Sequence, residues 1–427
     1  MLTPLLVIKK AITPTTVLII LSFFLQLFYL GKTPYNTRTY DVLEGGGHLD
    51  YIAYVYQNHT VPPAEKGWQY HHPPLYYFLS SLPWSLSNFF PFEKIYLLLQ
   101  FISVCYYTGF LFISILIFKE LLPRGKTIIL ASALLCFWPS GIIHSVRIGN
   151  DTLYYLLFSV SLFFLIRWWE NPSQNLNLLL SSVFASLTIL TKSNGIVLII
   201  LLTISALTKL TNLKSGVKYL AIVFVTLVIT FISFLPRFQS KLNDSSIDWL
   251  NSSVHLLNKD LAVTNTANNL LFLDINSYLT HPFTSTWSDD SGRQSFWNFL
   301  LKSSLFGEFS FEKPISILLA HSLSLMLLVF LTISITNIFF GFSRAIFLNP
   351  IIVGNLLINL AALYYFRLKL PFAPHADFRY IYPILVSFIF FLLPSSFQIL
   401  NNKFLRNFTF SILWAFPIIS IIFFLTI

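Results

Sequence analysis

About eleven apolar runs of roughly 17–25 residues follow one another along this chain, each long enough to cross the ~30 Å hydrocarbon core of a bilayer as one helix. They fall near 13–31, 94–118, 127–146, 152–169, 176–193, 195–212, 217–236, 314–342, 345–366, 379–397 and 408–427. None shows the sustained two-residue alternation of an outer-membrane strand, so helices rather than a barrel are implied. Of the 427 residues 55% are hydrophobic and only 10% are charged, against about 25% charged in soluble domains. The expected class is an all-α polytopic membrane protein, read as a single domain over 1–427. No Gly/Ser linker, soluble domain or internal repeat interrupts the pattern. The abundant phenylalanines (45) suit lipid-facing and helix-packing surfaces.

The charges that remain sort by side. With the first end in the cytoplasm, Lys9, Lys10, Lys119, Arg124, Lys126, Arg167, Lys209, Lys214, Lys218, Arg344, Lys403 and Arg406 all fall inside, as the positive-inside rule requires. The two long loops, 32–93 and 237–313, then fall outside. The second holds Trp249, Trp287 and Trp297 and is expected to form an interfacial cap. No small-residue cleavage site follows the first run, which therefore reads as a retained signal-anchor. Segment 72–90 is nearly long enough to span, but Pro83 and its short aromatic pattern place it at the outer surface; if it crossed, every later orientation would invert. Cys105 and Cys136 lie inside apolar runs and read as packed thiols, not as a disulfide or metal pair. The net charge of +10 suits anionic lipid headgroups and the inside bias. No basic tract of nucleic-acid type occurs.

Polar clusters gather at the expected outer ends of these runs. Asp41, Glu44, His48 and Asp50 crowd the first loop. Glu44 and His48 are four apart, which on a helix would give them one face, but Gly45–Gly47 favour a turn. HLDYIAYVYQNH then reads as a short amphipathic helix. His71 and His72 precede Pro73-Pro74, a pair that sets an extended approach and starts a helix. Arg147, Asn150 and Asp151 share a tight connection, where Asn150 or Asp151 can cap the next helix. Lys192 breaks another apolar run, and Arg367, Lys369, His375, Asp377 and Arg379 crowd a later loop. Snorkelling to lipid phosphates competes for Lys192 and Lys369. Arginine offers a bidentate fork and lysine a point charge to phosphate. A carboxylate can deprotonate an incoming hydroxyl or amine, and cations can stabilise a departing phosphate.

These segments resemble the GT-C superfamily of polyprenyl-phosphate-sugar glycosyltransferases, in the branch of protein O-mannosyltransferases and the lipid A aminoarabinose transferase. The likeness rests on the acidic first loop, GHLDYIAYV with its TVPP turn, GWQYHHPPLYY, RIGNDTLYY, the TKSNG break, SFWNFLLKSSLFGEF and DFRYIYP. It implies a multi-span fold with catalysis on the extracytoplasmic side of a membrane, here the bacterial inner membrane. The implied donor is a sugar on a polyprenyl-phosphate carrier, and the acceptor a lipid, glycan or protein. A first-loop acid, Asp41 or Glu44, would act as base in an inverting displacement. The family usually has an acid four or five positions before the loop histidine, often as Asp-Glu; here Glu44 stands four before His48 and Asp41 seven before. Asp151 would match the second acid of relatives. His48, His71, His72, Arg147, Asn150, Lys192, His375, Asp377 and Arg379 would line the donor and acceptor. No cofactor or metal ligand set is implied, although a divalent metal stays open given the supply of Asp and His. Two other readings stay open: a transporter or flippase, and a catalytically inactive relative that serves assembly.

Overall fold

The computed structural model describes residues 13–37, 46–123, 125–209, 213–243, 259–393 and 403–427. Asp41 and Glu44, the two expected bases, lie outside them. The described secondary structure is helical, with one isolated antiparallel bridge between Ala262 and Phe372.

Helix α1 (Pro14–Lys32) starts where Thr13 Oγ1 accepts from Thr16 N and Pro14 fills the first turn, where a missing N–H costs nothing. The first loop follows with α2 (His48–Asn58) and α3 (Leu75–Trp84). At about 15 Å, ten residues of α3 cannot cross a bilayer. Tyr76, Tyr77, Ser80 and Trp84 are buried against α2 and the bundle, while Phe78, Leu79, Leu82, Phe89 and Phe90 of this segment are exposed. The segment is not among the helices long and apolar enough to span alone.

The bundle continues with α4 (Phe92–Leu121), then α5 (Lys126–Cys136) and α6 (Pro139–Ser145), which meet at a 51° bend. Pro139 has no N–H for the helical ladder, so carbonyls are freed at the bend. Ser22 Oγ donates to Cys136 O at 2.6 Å and closes one of them. Helices α7 (Asp151–Glu170), α8 (Asn175–Thr191), α9 (Ile196–Thr208) and α10 (Leu213–Asn243) come next, and α7 packs on both α4 and α8. The second loop supplies α11 (Ala267–Leu271), α12 (Ile275–Thr280) and α13 (Phe296–Phe306). The chain closes with α14 (Pro314–Leu348), α15 (Pro350–Lys369), α16 (Ile384–Leu392) and α17 (Lys403–Thr426).

Among the described residues six helices are long and apolar enough to span alone, or seven with the bent pair. The expected eleven spans are not all found as long, regular helices among the described residues. Runs 176–193 and 195–212 become helices of 17 and 13 residues, broken at Lys192. Among its described residues run 379–397 yields the nine residues of α16, which starts late because Phe378–Tyr380 forms a tight turn capped by Asp377. The break expected near 343 moves to Asn349, whose side chain accepts from Ile351 N ahead of Pro350. The second loop is also more than a surface cap: Phe299, Lys302, Leu305 and Phe306 of α13 are fully buried or nearly so. Cys136 is packed as expected, whereas Cys105 is exposed on the outer surface of α4.

Candidate active site at one end of the bundle

Helix direction decides which loops share an end. Helix α4 starts after the first loop and finishes at Lys119 and Glu120. Arg167, late in α7, lies 3.6 Å from Glu120, and Lys209, after α9, sits 4.1 Å over the Trp169 ring. The other ends of these helices, with the first loop, the Arg147–Asp151 connection and Lys192, therefore meet at the opposite pole.

The first wall is imidazole and phenol. His48, 4% exposed, shares a hydrogen bond of 2.9 Å between Nδ1 and Tyr77 OH. Its ring is nearly parallel to that of His72, centroids 6.1 Å apart, and His71 in turn lies 4.1 Å from His72. Tyr77 stacks on Tyr51 at 3.5 Å. A Cβ on Gly149 would lie 3.1 Å from His48 Nε2, so the first loop and the Arg147–Asp151 connection touch. Gln100, buried in α4, pins that connection by donating to Val146 O at 2.8 Å and to Thr33 O at 3.1 Å.

Next come the paired charges. Asp151 opens α7 and forms an ion pair with Lys192, whose side chain is 3% exposed. Asn150 precedes the helix but makes no side-chain cap; its amide donates instead to Thr191 O at 3.1 Å, tying α7 to the end of α8. The capping role expected of Asn150 thus gives way to a bridge between helices. The Lys192 ammonium also stands 4.6 Å over the Tyr380 ring.

Arg379 completes the cluster. Its guanidinium lies 3.7 Å from Glu308 and 3.5 Å from Asp377, and Asp377 Oδ1 accepts from Arg379 N at 2.9 Å. The turn is held from below: Tyr155 OH donates to Arg379 O, Tyr154 OH to Tyr380 O, and Phe378 N to Ser303 Oγ. Burial pushes the Asp377 carboxyl up, with Arg379 pulling against it. Burial also opposes charge on Arg379, but Glu308, Tyr380 and Asp377 outweigh it and keep the guanidinium protonated.

His375 serves the same loop from inside. Its Nδ1–H donates to Leu370 O at 2.8 Å, and its ring packs against Phe366 and Phe372. Burial lowers its pKa to about 4. Arg367, fully buried, donates to Asn265 of the second loop.

The structure thus gathers His48, His72, Arg147, Asn150, Asp151, Lys192, Asp377 and Arg379 at one pole. His375 supports the loop that carries the last two. Sequence reasoning missed His144, Glu308 and Gln100. Glu308 follows Gly307 in an otherwise apolar stretch, and His144 stands three before Arg147; both spacings were available signals. Among the described residues no three His, Cys, Asp or Glu side chains group closely enough to hold a metal ion.

The fold has a counterpart among solved structures. The apo oligosaccharyltransferase of Archaeoglobus fulgidus superposes with a TM-score of 0.52 at 12% identity, over 96% of this chain and 56% of that one. The chain carries the GT-C fold. The chain spans about half the length of that enzyme. The same archaeal enzyme, AglB, bound to an inhibitory peptide and a dolichol-phosphate, gives a TM-score of 0.49 at 13% identity, over 96% and 55% of the two chains. No family model matches the sequence, and no curated protein matches it.

Proposed function

We propose that the chain transfers a sugar from a polyprenyl-phosphate carrier to a lipid, glycan or protein acceptor. The reaction would take place at the extracytoplasmic face of a bacterial inner membrane. One observation carries this reading: a GT-C bundle concentrates buried, opposed charges, Asp151 with Lys192 and Arg379 with Asp377 and Glu308, at a single pole. Ionisable groups at membrane depth are costly and mark function.

In the proposed reaction a first-loop carboxylate, Asp41 or Glu44, takes the proton of the acceptor hydroxyl or amine. The freed lone pair attacks the anomeric carbon from the face opposite the carrier. The anomeric C–O bond to phosphate breaks with inversion, and the electron pair leaves on the phosphate oxygen. Arg147, Lys192 and Arg379 are the cations available to that developing charge. Asp151 holds Lys192 in position, and His48, His71 and His72 line the first-loop side.

Reconstituted protein given a radiolabelled polyprenyl-phosphate sugar tests the reading. Transfer is expected from the wild type and a loss of at least about a hundredfold from the Asp41→Asn, Glu44→Gln double variant. Full transfer by the double variant removes the base assignment. Movement of the lipid-linked sugar across proteoliposomes with no bond cleaved would replace the enzyme by a transporter.

A further inference from the structure

His144 is 2% exposed, on the short helix α6. Its Nδ1 lies 3.5 Å from Arg147 Nη1. A guanidinium has no acceptor, so Arg147 must donate and Nδ1 must accept. In a neutral imidazole the proton then sits on Nε2, which becomes a donor. Among the described residues that buried Nε2 has no hydrogen-bond partner. Leaving a buried donor empty is costly, and native structures rarely tolerate it without a ligand or water.

The surroundings narrow the missing acceptor. Arg147 acts most strongly of the charged groups on this ring, with Asp151 opposing it, while Arg379 and Lys192 act from within their own ion pairs. The Arg147 guanidinium is backed by the Phe309 ring at 5.2 Å, and that ring is 6.4 Å from the imidazole. Gly307, with φ +63, brings the turn so close that a Cβ there would lie 3.3 Å from His144 Cε1. An N–H beside a guanidinium favours an anionic oxygen over a neutral hydroxyl.

We propose that His144 is a phosphate-binding residue, whose Nε2–H donates to a phosphate oxygen of the lipid-linked ligand beside Arg147. This rests on the glycosyl-transfer reading above and adds a residue to its phosphate subsite. The residue is neutral, so it adds a directional donor rather than further charge. A glutamine can extend its amide N–H to about the Nε2 position, whereas phenylalanine keeps the ring and loses the donor.

The test uses the full chain in lipid nanodiscs and two probes that differ only in the headgroup, farnesyl phosphate and farnesol. Binding is titrated calorimetrically for wild type, His144→Phe and His144→Gln, each first checked for an unchanged unfolding midpoint. Wild type is expected to prefer the phosphate. His144→Phe should lose about tenfold to a hundredfold in affinity for farnesyl phosphate, with farnesol binding unchanged, and His144→Gln should recover most of the loss. A purely structural histidine would move both probes together. If wild type prefers the phosphate and His144→Phe keeps that preference in full, the assignment is overturned while the glycosyl-transfer reading stands. If wild type does not distinguish the probes, the phosphate-carrier reading itself falls.

Discussion

At the scale of single residues, the candidate site is a set of charges that would be expensive to bury alone. Lys192 is nearly inaccessible and survives because Asp151 starts the neighbouring helix beside it. This pairing was legible only in part. Polar residues at the ends of apolar runs announced Asp151, Lys192, Asp377 and Arg379, but nothing in the spacing says which acid faces which base. His144 was hidden for a different reason: it lies within a run that reads as hydrocarbon, and only its three-residue offset from Arg147 sets it on that face. His375 shows the converse, a loop histidine that looked like a ligand contact and is held by a backbone carbonyl and two aromatic rings. Its titration gives a prediction. The folded pKa is lowered to about 4 by burial, below the ordinary value near 6.5. As pH falls below about 6.5 the unfolded chain takes the proton first, so stability is lost between about pH 6.5 and 4 and is retained above that window. The contribution is on the order of 3 kcal/mol at most. Unfolding midpoints in nanodiscs across this range should fall with acidity for the wild type and fall less steeply for His375→Phe. Equal slopes would show that His375 is not the titrating group.

At the scale of elements, the first loop is seated by a crossing that lacks side chains. Gly46, with φ +88, lies against Gly67, and a Cβ on Gly67 would fall 2.7 Å from Gly46 Cα and 2.8 Å from the Tyr70 ring. Gln69 N donates to Gly46 O, and Asp50 accepts from both Gly46 N and Gly47 N. The sequence indicated the glycine turn and the helix after it, since the amphipathic pattern of HLDYIAYVYQNH is local. It did not indicate Gly67 as the partner, because the contact joins residues 21 positions apart with no periodicity to link them. The second loop was less legible still: α13 is core, yet its aromatic content read as an interfacial cap. Backbone atoms block the new methyl group at position 67, so Gly67→Ala must shift the first loop against the Arg147–Asp151 connection. Transfer rate is expected to fall about tenfold or more, as small misplacements of catalytic groups do, with the bundle still folded by circular dichroism. An unchanged rate with the variant correctly folded would mean that this crossing does not position the loop.

At the scale of the molecule, one pole carries the convergent acids and bases, and the other carries Lys119, Glu120, Arg167 and Lys209. That the chain is built of membrane-length apolar helices was readable because spanning is governed by length and hydropathy. Where helices end was less so: the break at Lys192 is fixed by a distant partner, Asp151, whereas Asn349 and Asp377 act through local caps that the apolar count passes over. The separation of the poles is open to a direct measurement. With Cys105→Ala and Cys136→Ala as background, single cysteines at Lys66 and Asn276, both exposed on the two long loops, should react with an impermeant maleimide added to intact cells. A cysteine at Lys119, exposed at the far end of α4, should react only after permeabilisation. The first two positions test whether both loops share a compartment, and the third fixes the direction of α4 between them. Labelling of Lys66→Cys and Lys119→Cys from one side would mean that α4 does not separate the poles. The charge cluster would then lack the common aqueous face that a lipid-linked sugar and its acceptor must both reach.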